Sequence, residues 1–210
     1  MRITVFGATG RTGGLVVDRA LESGHDVTAV VRDPARLRQA DRPGLTTVTA
    51  DALDPRAITE AVAGRDAVVS ALGPNGRAAT TVCADGAHAI ATAMRTAGTR
   101  RLVVVTASGH VVDDGDGPFT RLVVKPLLRR YLRAGFADFA RAEAAVRASG
   151  LDWTLMRPPR LTGAGPRPYR TALDRNVRGG VTIGRTDFAH AVLAALADPA
   201  TIGRSVAVGY

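Results

Sequence analysis

The chain has 210 residues, 46% of them hydrophobic and 22% charged, with one cysteine and a formal charge of +9. This composition excludes disorder, collagen-like repeats and a disulfide-stapled scaffold, and the length suits one domain with an ample core. No apolar run reaches the roughly 18 residues of a membrane-spanning helix, and Met1-Arg2-Ile3-Thr4-Val5 enters a strand-like run without signal-peptide anatomy, so the expectation is a soluble cytoplasmic protein with no membrane partner.

Residues 3–6 form a short apolar run that stops at Gly7 and predicts a buried strand. A helical pattern follows, with Leu15, Val16, Ala20 and Leu21 on neighbouring faces, closed by Ser23-Gly24. Residues 27–31 predict a second strand, after which Asp33-Pro34 reads as an N-cap and a first-turn proline. Residues 46–50 predict a third strand, Asp54-Pro55 a second cap with proline, and 57–63 a short helix. Strands at 67–71 and 102–106 flank an alanine-rich helix at 80–97. The strands are near-continuous β-branched runs that alternate with helices. That pattern predicts an α/β fold: a Rossmann-type, doubly wound parallel sheet with helices on both faces.

Beyond Ser108 the rhythm loosens. Residues 113–118 form a polar loop, and a helical stretch over 119–149 is interrupted at Pro126 and Gly135. Residues 151–156 predict a sixth strand, ended by Arg157-Pro158-Pro159. A Gly-, Pro- and Arg-rich stretch at 160–184 has too few apolar residues for a core of its own. It reads as a small C-terminal substrate lobe of a single domain spanning 1–210, with 109–184 forming most of the substrate side. A strand at 181–183, a helix at 186–197 and a strand at 205–208 finish the chain.

The charge is unevenly placed. Residues 119–180 hold 13 Lys and Arg against 4 Asp and Glu, leaving 15 of each sign elsewhere, so the whole excess lies in one segment. Arg121, Lys125, Arg129 and Arg133 recur every four residues, and a continuous helix would set them in one stripe. Leu122, Leu127, Leu128 and Leu132 would then form the other face. The segment suits an anionic small-molecule substrate, a subunit contact in a homodimer, or a solvated basic face of a monomer. Nucleic acid is disfavoured, since only five Phe, three Tyr and one Trp are available for stacking and no recognition motif occurs.

The strongest motif is Gly7-Ala8-Thr9-Gly10-Arg11-Thr12-Gly13, a G-x-x-G-x-x-G turn between the first strand and the first helix. A dinucleotide pyrophosphate must approach the backbone where a helix N-terminus offers free N–H groups, and glycines permit that approach. An acidic residue at the end of the second strand would suit NAD, and a basic one a 2′-phosphate. Arg32 stands there, with Arg36 one turn on and Arg11 opening the first helix, which favours NADP(H) over NAD(H). Asp51-Ala52-Leu53 after the third strand suits an adenine site, the carboxylate on the amino group and Leu53 against the ring. Leu72-Gly73 after the fourth strand lets the backbone pass near the ribose. One cysteine, and histidines at 25, 88 and 190 without ligand spacing, predict no metal site.

With the glycine turn, Val31-Arg32-Asp33, Thr80-Thr81-Val82, Ser149-Gly150-Leu151-Asp152-Trp153-Thr154, Arg157-Pro158-Pro159-Arg160-Leu161-Thr162 and Arg185-Thr186-Asp187-Phe188-Ala189 assembled, the chain resembles the atypical short-chain dehydrogenase/reductase superfamily. Among its NAD(P)-binding, NmrA-like members the likeness is greatest to the flavin reductase/biliverdin-IXβ reductase group. The resemblance implies that Arg32 and Arg36 hold the 2′-phosphate and that Thr106-Ala107-Ser108 closes on the nicotinamide. It also implies that Pro158-Pro159-Arg160 walls the far side and that His110 takes the place of an aromatic, stacking on substrate or acting as an acid. Cys83 falls near the cofactor and reads as packing. The Tyr-x-x-x-Lys pair typical of the superfamily is missing: Gly135 follows Tyr131 at that spacing, Leu173 follows Tyr169, and Lys125 is the only lysine. The implied activity is hydride delivery from NADPH to a planar conjugated acceptor, a flavin (FMN or FAD) being substrate rather than prosthetic group. The alternatives are a non-catalytic NADP(H)-binding sensor and, less favoured, an epimerase.

Overall fold

The computed structural model describes residues 1–39, 41–74, 80–118 and 120–210. The first half alternates strand and helix: β1 (Arg2–Phe6), α1 (Arg11–Glu22), β2 (Asp26–Val31), β3 (Leu45–Thr49), α2 (Pro55–Val62), β4 (Ala67–Ser70), α3 (Val82–Ala97) and β5 (Arg101–Val105). The second half runs α4 (Lys125–Tyr131), α5 (Arg133–Arg147), β6 (Asp152–Arg157), β7 (Arg160–Thr162), β8 (Arg170–Leu173), β9 (Thr182–Gly184), α6 (Arg185–Ala197) and β10 (Arg204–Gly209).

Eight strands form one sheet in the order β3-β2-β1-β4-β5-β6-β10-β8, parallel except where β8 joins β10 antiparallel. The β-branched runs are covered on both faces, as their lack of polar alternation predicts. Ile3 and Val5 of β1 face α1 and α6, packing with Val16, Val17, Phe188 and Val192. Phe6 faces the other layer, with Ile58 of α2, Ile90 and Met94 of α3 and Val146 of α5. Each such side chain contributes about 1.5–3 kcal/mol on burial. Thr4, whose side chain would break the second layer, donates its hydroxyl to Ala61 O at 2.6 Å. Strand order reverses at β1, whose neighbours are β2 and β4. The crevice beyond the carboxyl ends of those strands is where an open α/β sheet binds its ligand.

The doubly wound parallel sheet predicted from the alternation is the fold of the chain, and several local expectations are corrected. Asp33 does cap, accepting from the Ala35 N–H at 3.1 Å, but it caps a single 3-10 turn, Pro34–Arg36, rather than a helix. Leu37 is buried and extended there, which ends the turn. The helical stretch breaks at Leu132, not Gly135: Gly135 lies inside α5 and Pro126 sits harmlessly in the first turn of α4. A π-helical turn, Thr120–Val124, precedes α4, so the four-residue repeat keeps no common face. Lys125 is turned inward and only 5% exposed, whereas Leu122 and Leu127 face outward at 74% and 64%. Phe119, where the basic segment begins, lies outside the described residues. The stretch 160–184 is more regular than expected, with β7 pairing β9 and β8 extending the main sheet.

Candidate cofactor groove and acceptor cavity

The glycine turn is built by steric necessity. Gly7 has φ +76°, and a Cβ on it would lie 2.6 Å from Ala71 O. A Cβ on Gly13 would lie 2.1 Å from Gly7 O, so α1 packs on the turn only with glycine at that position. The Gly10 N–H donates to Gly7 O at 2.9 Å, closing the turn. Gly10 is also the N-cap of α1: it offers no side-chain acceptor, and no acidic residue stands in the first turn. The N-terminal N–H groups and the positive end of the helix dipole are thus left for an anion. Among the groups proposed from sequence, a dinucleotide pyrophosphate fits this cradle.

A groove of about 140 Å³ runs from this turn across the ends of β1, β2, β3 and β4. Gly7, Thr9, Gly10, Arg32, Asp51, Ala52, Leu53, Leu72 and Gly73 meet along it, joined by Val31 and Val82. Asp51 shapes its own turn, its carboxylate accepting from the Leu53 N–H at 3.0 Å, while Asp54 caps α2 through the N–H of Arg56 at 2.9 Å. Leu72 is pressed onto α3, where a Cβ on Gly86 would come 2.4 Å from its methyl. Five expected cofactor residues of this half do not line the groove. Ala8 is buried in the core beneath the turn, Arg36 is exposed on its 3-10 turn without lining the groove, and Arg11 faces a different concavity. Thr12 is half-buried and Gly13 buried in the first turn of α1, where they serve the backbone of the turn.

Beyond the ends of β5, β6 and β10 opens a larger cavity of about 540 Å³. Ala107, Ser108, Pro158, Pro159 and Arg160 line it, so these expected residues are brought together on one wall. The Ser108 N–H donates to Pro158 O at 2.8 Å, stitching the two segments. Leu128 and Tyr131 of α4, Phe136 of α5, Val177 and Val181 supply an apolar lining. Lys125 also reaches it but is neutralised: its ammonium lies 2.5 Å from Asp116 Oδ2 and also donates to Val111 O. Asn176 locks that corner, its amide donating to Val111 O at 3.2 Å and Asp116 Oδ2 at 3.3 Å. Arg160 is the cation of the lining that has no acidic partner among the described residues.

His110 does not reach the cavity. Its ring is buried beside Phe136 and Phe139, with Nε2 3.3 Å from Glu143 Oε1. The imidazole proton on Nε2 serves that carboxylate, and Nδ1 is buried without a partner among the described residues. A stacking or acid role of His110 on substrate therefore finds no support in this geometry.

Glu143, which motif reading passed over, is the hub behind both walls. Its Oε1 accepts from the Thr106 hydroxyl and from Arg157 Nε, each at 2.9 Å, and its Oε2 from the same guanidinium. Burial pushes this carboxyl up, but hydrogen bonds from His110 and Arg157 and the Arg157 charge outweigh it, and its pKa falls to about 2. Thr106 is thereby spent on structure rather than on a ligand. The buried partners Arg157, His110 and Thr106 stand far from Glu143 in sequence, the first 14 and the last 37 residues away, so no local spacing announces them.

Cys83 is a packing residue. Burial pushes its thiol up to about 12, aided by the Asp138 carboxylate, which accepts the N–H groups of Cys83 and Ala84 at the start of α3.

A family model described as NAD(P)H-binding matches residues 7–199, from the glycine turn to the end of the last helix. The chain belongs to the NAD(P)H-binding family. Its motifs resemble those of the atypical short-chain dehydrogenase/reductase superfamily. It is 28% identical to the Bacillus subtilis protein YwnB over 95% of this chain and 93% of that one. It is 34% identical to a 3-diazoavenalumate denitrifying reductase of Streptomyces, over 79% of this chain and 58% of the relative. An NAD(P)H azoreductase of Xenophilus azovorans is 29% identical over 74% of this chain and 47% of its own length. The chain thus spans about half the length of these two reductases. A short-chain dehydrogenase/reductase from Veillonella parvula in complex with NADP shares the fold at TM-score 0.77 and 18% identity, covering 100% of this chain and 94% of that one. Among the described residues no helix is long and apolar enough to cross a membrane, and no cluster of metal-ligating side chains occurs.

Proposed function

We propose that the protein is an NADPH-dependent reductase that delivers hydride to a planar conjugated acceptor, with a free flavin as the reference substrate. The observation that carries the reading is the adjacency of two spaces: a phosphate-cradling groove at the ends of β1–β4 and a largely apolar cavity at the ends of β5, β6 and β10. β4 and β5 are neighbouring strands, so a dinucleotide laid along the groove brings its nicotinamide end to Ser108. Reductase relatives acting, by their names, on azo and diazo compounds support the same class of acceptor.

When bound, NADPH supplies the hydride; the acceptor gains two electrons and takes its proton from solvent. The chain's own work is binding and orientation. Uncapped N–H groups of α1 take the pyrophosphate, and Arg32 on the groove takes the 2′-phosphate. Asp51 and Leu53 hold adenine, and Ser108 with Pro158-Pro159 fixes the plane of the nicotinamide. Phe136, Leu128 and Tyr131 sandwich the acceptor, while Arg160 favours an anionic substituent on it.

The test mixes the protein with NADPH and FMN or FAD and follows the nicotinamide absorbance band. Turnover with saturable dependence on flavin is the expected result. Tight NADPH binding without turnover on flavins or azo dyes would instead mark a non-catalytic NADP(H) sensor.

A further inference from the structure

A third concavity, of about 390 Å³, shares no lining residue with the groove or the cavity. One wall is the outer stripe of α1, with Arg11, Leu15 and Asp18. Another is the loop after the 3-10 turn, with Arg38, Gln39 and Arg42, and Arg185 at the start of α6 closes it. Four guanidiniums therefore face one carboxylate, and that carboxylate is already spent. Asp18 Oδ1 accepts from Arg42 at 3.0 Å and its Oδ2 from the Gln39 amide at 3.0 Å.

The walls are preset rather than draped. Gln39 is only 7% exposed, and the same amide also donates to Gly14 O at 3.1 Å, so the loop is pinned to α1. Arg11, Arg38 and Arg185 make no side-chain hydrogen bond or ion pair with any described residue. The acidic residue in the first turn of α6, Asp187, is no counter-ion for Arg185: it is engaged by the Tyr210 hydroxyl at 2.5 Å and the Arg167 N–H at 3.1 Å. The N-cap of α6 is Gly184, which supplies no side-chain acceptor. Three unpaired guanidiniums converging on a concave surface repel one another, and an anion there removes that cost while offering each a bidentate acceptor. The lining contains no aromatic side chain, so the cleft has nothing on which a base would stack.

We propose that this cleft is a second anion site, separate from the nucleotide groove, that takes a diphosphate or longer polyphosphate group. The excess of three positive charges matches such a group better than a single carboxylate. The group is either free or carried on a nucleoside, and the test separates the two.

Protein saturated with NADPH is titrated calorimetrically with inorganic pyrophosphate and, separately, with ADP. The expected result is binding at one site per chain without release of NADPH. If ADP binds no more tightly than pyrophosphate, the free anion is the ligand; if it binds at least about tenfold more tightly, the carried group is. Arg38→Ala and Arg185→Ala each weaken binding roughly tenfold, whereas Arg129→Ala, at a residue that lines none of the three cavities, leaves it unchanged. Arg38→Lys and Arg185→Lys keep the charge but lose the fork, and fall between wild type and the alanine variants. All four cleft variants should melt with wild type, since neither side chain makes a contact that holds the fold. No heat with either ligand, displacement of NADPH by pyrophosphate, or wild-type affinity in the Arg38→Ala/Arg185→Ala double variant overturns the proposal.

Discussion

Replacing Glu143 by alanine should be the most damaging single change outside the sheet core. The guanidinium of Arg157 is buried and receives its charge compensation from this carboxylate. Deleting the partner leaves a buried, unpaired cation, a loss of roughly 3–5 kcal/mol. For a chain of this length that lowers the melting temperature by about 10 °C. The same network sets a pH signature. The carboxyl falls from 4.5 to about 2 in the folded protein, a difference worth about 3 kcal/mol. Because the folded value is depressed, the stabilisation is complete above about pH 4.5 and is lost as pH falls toward 2. The gap between wild type and Glu143→Ala should therefore be wide at pH 7 and roughly half as large at pH 3. Melts followed by circular dichroism at both pH values test this. A variant melting within about 2 °C of wild type at pH 7 would refute the reasoning, as would a gap independent of pH. Glu143→Gln keeps the shape but not the charge and should fall between the two. Since Glu143 tethers Thr106, His110 and Arg157 but touches neither groove nor cavity, Glu143→Gln should raise the acceptor KM more than the NADPH Kd.

Other substitutions separate the groove from the cavity. Arg32→Asp should weaken NADPH about a hundredfold and NADH by less than about threefold, measured by fluorescence titration; equal losses would remove this arginine from 2′-phosphate recognition. Gly13→Ala places a methyl 2.1 Å from Gly7 O, so it should lower both the melting temperature and NADPH affinity, the latter by more than about tenfold. Leu128→Trp should fill the acceptor cavity, raising flavin KM several-fold with NADPH Kd unchanged; an unchanged KM would place the acceptor elsewhere. Cys83, buried and with its thiol pushed up to about 12, should resist maleimide at pH 8 in the folded protein and react at once in denaturant.

The features legible in the sequence and those hidden from it differ in the range of the forces involved. The glycine turn, the caps at Asp33 and Asp54 and the β-branched strands are local: each rests on a backbone preference, a cap or a contact within the motif itself, so spacing alone exposes it. Arg32, Asp51 and Leu72 could be gathered into one groove in advance because parallel strands all end on the same edge of a doubly wound sheet. The errors concentrate where a side chain is decided by partners far along the chain. Lys125 carries the period of an exposed stripe, yet Asp116 and the Val111 carbonyl draw it inside, which turns Leu122 and Leu127 outward. His110 has the position of a substrate contact, yet Glu143 holds it behind the wall. In both cases a buried charge decides, because leaving it unpaired costs several kcal/mol, against a few tenths of a kcal/mol per residue for the period that Lys125 follows. The same inequality bears on the chemistry. With Lys125 neutralised and His110 withdrawn, the cavity lining keeps Ser108, Thr120, Tyr131 and Arg160 among its polar groups, and the proposed reaction is one in which the placement of two flat rings carries more of the work than a side-chain acid.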